Sequence, residues 1–194
     1  MKLHEIAAIP APSPRGHQKI IKWLYGLHIQ KYTIRLDGVV DVNGDVDLYG
    51  FQGKTLPIRF GNVSGFFNCS SSNLTSLIGS HQSVGGYFTC FQTKVSSLEG
   101  APQYVGGNFF CNSTKILSLH NIHKQVKHIG GYFNCTATGN VTHLLGLLLI
   151  DGPTEFDVER GLINDILNKY VGTGDILSAQ DELIDAGFID QARL

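Results

Sequence analysis

A repeat solenoid is the fold the sequence predicts. Two features predict it: a phrase that recurs about every 21 residues, and a glycine content of 23 in 194 that supplies turns to every repeat. Cys69, Cys90, Cys111 and Cys135 mark the period, spaced 21, 21 and 24. Each closes a similar run: Val63-Ser-Gly-Phe-Phe-Asn-Cys69, Val84-Gly-Gly-Tyr-Phe-Thr-Cys90, Val105-Gly-Gly-Asn-Phe-Phe-Cys111 and Ile129-Gly-Gly-Tyr-Phe-Asn-Cys135. One period earlier, Val42-Asn-Gly-Asp-Val-Asp-Leu48 puts Leu48 in the cysteine slot, which makes five coils. A second phrase follows each first one: Leu74-Thr-Ser-Leu77, Val95-Ser-Ser-Leu98, Ile116-Leu-Ser-Leu119 and Val141-Thr-His-Leu144, with Leu56 at the matching place in the first coil.

The elements follow in order. Pro10, Pro12 and Pro14 predict a stiff extended start, and His17 to Leu27 a helix whose apolar face is Ile20, Ile21, Trp23, Leu24 and Leu27. With the strand from Tyr32 to Arg35 it forms an N-terminal cap over residues 1–35. The solenoid occupies 36–150. Within its first phrase the alternation has period two, so Val63, Phe67 and Cys69 turn inward while Phe66 and Asn68 turn outward. No coil buries that stripe alone, whereas coils stacked at ~4.8 Å form a parallel sheet over a continuous core with an internal cysteine ladder. Residues 151–194 predict an acidic helical cap: a helix from Glu155 to Tyr170, then one from Ile176 to Ala186 with Asp175 as N-cap, Gly187 as stop, and Asp181, Glu182 and Asp185 on its wet side.

The run from Phe67 to Leu77, with Phe67, Cys69, Leu74 and Leu77 in its apolar slots, resembles the leucine-rich repeat. The asparagine slot of that pattern holds Ser72, Thr93, Thr114 and Thr138, so hydroxyls are expected to satisfy the turn backbone. The phrases Val-Gly-Gly-x-Phe-x-Cys and Leu-Thr-Ser-Leu, and the tail from Gly174 to Phe188, more closely resemble leucine-rich-repeat-like proteins of large tailed bacteriophages. That resemblance covers about 31–194 and implies the fold without implying an activity.

Composition narrows the function. Residues 1–48 carry six basic and five acidic side chains, 49–150 six and one, and 151–194 three and ten. A weakly basic middle without a clustered stripe argues against nucleic acid. The longest apolar run, Leu144 to Ile150, is broken by Gly146 and falls short of the ~18 residues of a membrane span. The start Met1-Lys-Leu-His-Glu lacks the apolar region of a signal peptide, so a cytoplasmic protein with reduced thiols is expected.

Several motifs reduce to the repeat itself. Cysteines strung along stacked strands cannot converge on one zinc ion. The sequons at Asn62, Asn68, Asn73, Asn112, Asn134 and Asn140 arise because asparagine and hydroxyl residues occupy fixed slots. Asp41, Asn43, Asp45 and Asp47 alternate like a calcium loop, but Val46 replaces its glycine and Gln52 its glutamate, so they read as the outward face of the first strand. His123 shares a turn slot with His81 and Pro102, and with His120 and His128 it reads as a surface turn histidine. No catalytic or cofactor motif appears, and a non-enzymatic protein without cofactors is expected.

The outward strand slots are the exception. They hold Phe66, Tyr87, Phe110 and Tyr132 next to Asn68, Thr89, Asn108 and Asn134, and aromatic and amide side chains side by side characterise binding surfaces. The expected function is therefore a protein–protein interaction module, phage-encoded and acting on a host or phage protein through the outward sheet face. A protein sequestering a nucleotide-like small ligand and a structural assembly component are the alternatives.

Overall fold

Each period folds as two short strands around a glycine corner, followed by a return through the Leu-x-x-Leu phrase. A computed structural model describes residues 14–79, 82–136, 140–159 and 161–194 and shows a β-solenoid of about five turns with parallel sheets and a few helices. Pro10, Pro12, His81 and Thr138 lie outside the described residues.

The chain runs α1 (Pro14–Gly26), β1 (Tyr32–Ile34), β2 (Val39–Val42), β3 (Val46–Asp47), β4 (Arg59–Val63), β5 (Phe67–Asn68), β6 (Ser83–Val84) and β7 (Phe88–Thr89). It continues through β8 (Tyr104–Val105), β9 (Phe109–Phe110), α2 (Ile122–Gln125), β10 (His128–Ile129), β11 (Tyr132–Asn134), β12 (Glu155–Asp157), α3 (Leu162–Lys169) and α4 (Ile176–Asp185). Even-numbered strands β2 to β10 form one parallel sheet, edged by β1, which runs antiparallel to β2. The second sheet, in the order β3-β5-β7-β9-β11-β12, is parallel throughout.

Two sheets replace the single one expected, because the Gly-Gly pair divides the first phrase at a corner. Val63 and Phe67 both face inward on either side of that corner, and their even spacing matches what one continuous strand would give. The same corner splits the Asp41 to Asp47 run, with Asp41 on β2 and Asp47 on β3. Val42, Val46 and Leu48 are buried there, as expected.

In the core, Phe67, Phe88, Phe109, Phe133 and Phe156 stack rung on rung with ring centroids 4.9 to 6.3 Å apart. The second phrase contributes Leu74, Leu77, Val95, Leu98, Ile116 and Leu119, all buried. The turn after Leu48, Cys69, Cys90 and Cys111 needs a left-handed residue, supplied by Gly50, Ser71, Gln92 and Ser113 in successive coils. Beside it the hydroxyls act as expected: Thr93 donates to the Cys90 carbonyl and Thr114 to the Cys111 carbonyl, each at 2.8 Å.

The four cysteines are reduced thiols, and all are buried. Burial pushes the Cys69 thiol up to about 12 and raises Cys90 and Cys111 well above the ordinary thiol range. The folded chain thus holds protons that an unfolded chain releases above ~8.5. This contribution to stability is complete below that pH and declines as pH rises toward 12. We expect thiol labelling at pH 8 to wait for unfolding, and Cys90→Ser to cost about 1–2 kcal/mol in denaturant melts because a hydroxyl replaces sulfur among packed phenylalanines. Labelling of the folded protein at the rate of a free thiol would contradict this.

At the N-terminal end Trp23 of α1 packs against Phe51 and Phe60, and Leu24 is fully buried. At the other end the structure departs from the expected helix over Glu155 to Tyr170. Its first residues form β12, a sixth rung on the second sheet, because Phe156 continues the phenylalanine stack. The helix begins only at Leu162, after Gly161 at φ 80°. The outer edge of β12 is then satisfied by side chains. The Asn168 amide accepts from Phe156 N at 2.7 Å and donates to Phe156 O at 2.9 Å, while Asn164 accepts from Val158 N and Glu159 N. The last residues close the remaining side, where Asp190, Gln191 and Arg193 carbonyls accept from His143, Leu144 and Leu145. In α4 the side chain of Asp175 accepts from Ser178 N at 3.1 Å, and Gly187 follows at φ 88°.

Candidate functional site

The register of the second sheet fixes which side chains share its outer face. One column runs Asp45, Phe66, Tyr87, Asn108, Tyr132 and Glu155; the next runs Asp47, Asn68, Thr89, Phe110, Asn134 and Asp157. All seven sequence-predicted residues, Phe66, Asn68, Tyr87, Thr89, Phe110, Tyr132 and Asn134, therefore lie on one surface. Phe110 and Asn108 exchange columns relative to the expected row, because the fourth repeat carries its aromatic two residues later than its neighbours.

These residues differ in what they offer a partner. Phe66 and Tyr87 stack face to face, centroids 4.8 Å apart and planes 6° apart, so their shared faces are spent on each other while Tyr87 remains 37% exposed. Phe110 meets Tyr132 edge to face at 6.0 Å. Thr89 is buried, its hydroxyl bonded to that of Ser70 at 2.8 Å, so it supports the face without presenting a polar group. Asn134 donates to the Tyr132 hydroxyl, which itself donates to Asp157 at 2.7 Å. Burial first, and then the bond to Asp157, pushes the Tyr132 phenol up to about 12. Tyr87 is raised as well, by burial and then by the charges of Asp47 and Asp45.

Four of the twelve outward slots are acidic and none is basic, and the acids occupy only the first and last rungs. Aromatic and amide groups, with the one buried Thr89, fill the four rungs between. At ~4.8 Å per rung the face is about 24 Å long.

The turn edge carries a separate ladder, in which Lys94 donates to Asn73, and Asn73 to Gln52. Among the histidines, His123 lies in the single-turn α2, where burial and then the charges of Lys124 and Lys127 lower its pKa. His120 Nδ1 stands 2.8 Å from the Leu194 carbonyl oxygen. His128 is less isolated than its sequence surroundings imply, with Nδ1 2.8 Å from Asp151 Oδ2. Sequence reasoning missed this pair because its members are neighbours only across a rung.

Among the described residues no helix is long and apolar enough to cross a membrane. Comparison of the chain with protein-family models, curated proteins and solved structures finds no match.

Proposed function

We propose that the chain is a non-enzymatic protein-binding module that engages its partner through the outer face of the second sheet. The observation that carries this reading is the arrangement of that face: aromatic and amide groups on four central rungs, acidic groups only at the two ends. Interfaces concentrate their energy in a few central aromatic anchors and leave charge to the rim. The helices at the two ends act as caps that keep the coil stack from growing. The resemblance of the repeat phrases to leucine-rich-repeat-like proteins of large tailed bacteriophages, which implies no activity, points to a host or phage protein in the host cytoplasm as the partner.

Affinity capture from host lysate tests it. Tyr87→Ala and Phe110→Ala should each weaken capture by about 2 kcal/mol and leave the melting temperature within a few degrees, because both side chains face away from the core. Lys94→Ala and Lys115→Ala should change capture little. The reverse order would move the functional surface to the turn edge and favour an anionic small ligand.

A further inference from the structure

The outer face of the first sheet carries a second and differently built site, independent of the reading above. Its outward column runs Asn62, Ser83, Tyr104 and His128, with Asp151 bridged to His128 beyond. Tyr104 is 48% exposed, and one face of its ring lies against the His128 imidazole, centroids 4.3 Å apart and planes 11° apart. Asp151 in turn holds His128. The slot on the other side of Tyr104 holds Ser83, too small to cover a phenol ring. An aromatic ring braced on one side and uncovered on the other thus stands at the end of an open cleft of about 680 Å³, which begins at β1.

The cleft presents amide groups beside that ring. Ser83 Oγ donates to Asn62 Oδ1 at 2.9 Å, and Ser64 Oγ donates to Asn43 Oδ1 at 3.2 Å. Each serine hydroxyl holds one end of an asparagine amide and leaves the other end to the cleft. Both NH₂ groups are left without a partner among the described residues, and both asparagines line the cleft. Charge is nearly absent among the described residues that line it: Asp41 is neutralised by Arg35 through two bonds of 2.7 Å, which leaves Lys31 unbalanced. An uncovered aromatic face, amides held at the cleft and little charge suit a ligand with a flat C–H face and many neutral hydroxyl groups. We propose that this cleft binds a neutral pyranose saccharide, with one ring stacked on the open face of Tyr104 above Ser83 and its hydroxyls bonded to the Asn62 amide. A nucleotide is disfavoured because no cation cluster stands ready for its phosphates among the described residues.

Saturation-transfer NMR with cellobiose, N,N′-diacetylchitobiose, maltotriose and adenosine, each at millimolar concentration, tests the proposal on the full chain. Transfer to the ring C–H protons of at least one saccharide is expected. Tyr104→Ala and Asn62→Leu should each lower that saccharide's affinity by about tenfold or more while the thermal melt stays near that of the wild type. Tyr87→Ala, on the other sheet, should leave it unchanged, which separates this site from the protein-binding face. Transfer to none of the three saccharides overturns the proposal. So does saccharide binding that survives both cleft variants, and so does transfer to adenosine alone, which would make Tyr104 a nucleobase platform.

Discussion

Gly106→Ala is expected to lower the melting temperature by roughly 10 °C, or about 3 kcal/mol for a chain of this size. The cause is close approach. A Cβ on Gly106 would point along the stacking axis into the backbone carbonyl of Gly85, well inside van der Waals distance. Gly85 stands in the same relation to the Ser64 carbonyl, and Gly130 to that of Gly106. None of the three has a positive φ, so the demand is steric and not conformational. The obstacle is backbone in the rung beneath, which can move only by opening the corner hydrogen bonds, such as Gly106 N to Val84 O at 2.9 Å. Gly26→Ala at the end of α1, where nothing lies within 4 Å of the added carbon, is the matched control and should melt with the wild type. Circular-dichroism melts of the two variants decide the point, and equal melting would mean that the corners are looser than described.

Removal of residues 155–194 is expected to give an insoluble or aggregating product. It strips β12 and Phe156 from the stack, takes away the Asn164 and Asn168 amides that satisfy the β12 edge, and unpairs His143, Leu144 and Leu145 from the tail. What remains ends in an open parallel edge at β11 beside an uncovered Phe133. Asn168→Leu is the point version. It leaves the Phe156 N–H and C=O without their amide partner and should cost about 2 kcal/mol in denaturant melts without precipitation. A truncated chain that stays monomeric by light scattering would contradict this and make the acidic tail a separate module.

Much of the architecture was legible because the repeat is strict. Cysteines 21, 21 and 24 residues apart, each two residues after an inward phenylalanine, define the rung, the inward column and the outward column together. The hydroxyl slot was legible for the same reason, since a buried turn carbonyl needs a donor and Thr93 and Thr114 supply one. Period-two alternation could not reveal the corner, because a bend of even length leaves the inward and outward sets unchanged. Only the glycine pair marks it. The β12 strand was hidden inside an apolar pattern compatible with a helix, and only Phe156 and Val158, in the phenylalanine and cysteine slots, carry the repeat there. Exchange of Asn108 and Phe110 between columns was legible in principle, from counting back two residues from Cys111 to the inward Phe109. The Asp151–His128 pair and the fixed amides of the first sheet depend on contacts between rungs, and local pattern carries no signal for those.

Hydroxyl-radical footprinting of the chain with and without its captured partner tests the sheet-face reading most directly, since tyrosines on three different surfaces report at once. Tyr87 on the second sheet, Tyr104 on the first and Tyr49 beside the first turn are all exposed enough to be oxidised, at 37, 48 and 68%. The expected result is that partner binding slows oxidation of Tyr87, together with Phe66 and Phe110, and leaves Tyr104 and Tyr49 at their free rates. Unchanged oxidation of Tyr87 with protection of Tyr49 or Tyr104 would contradict it and place the partner on the turn edge or on the other sheet.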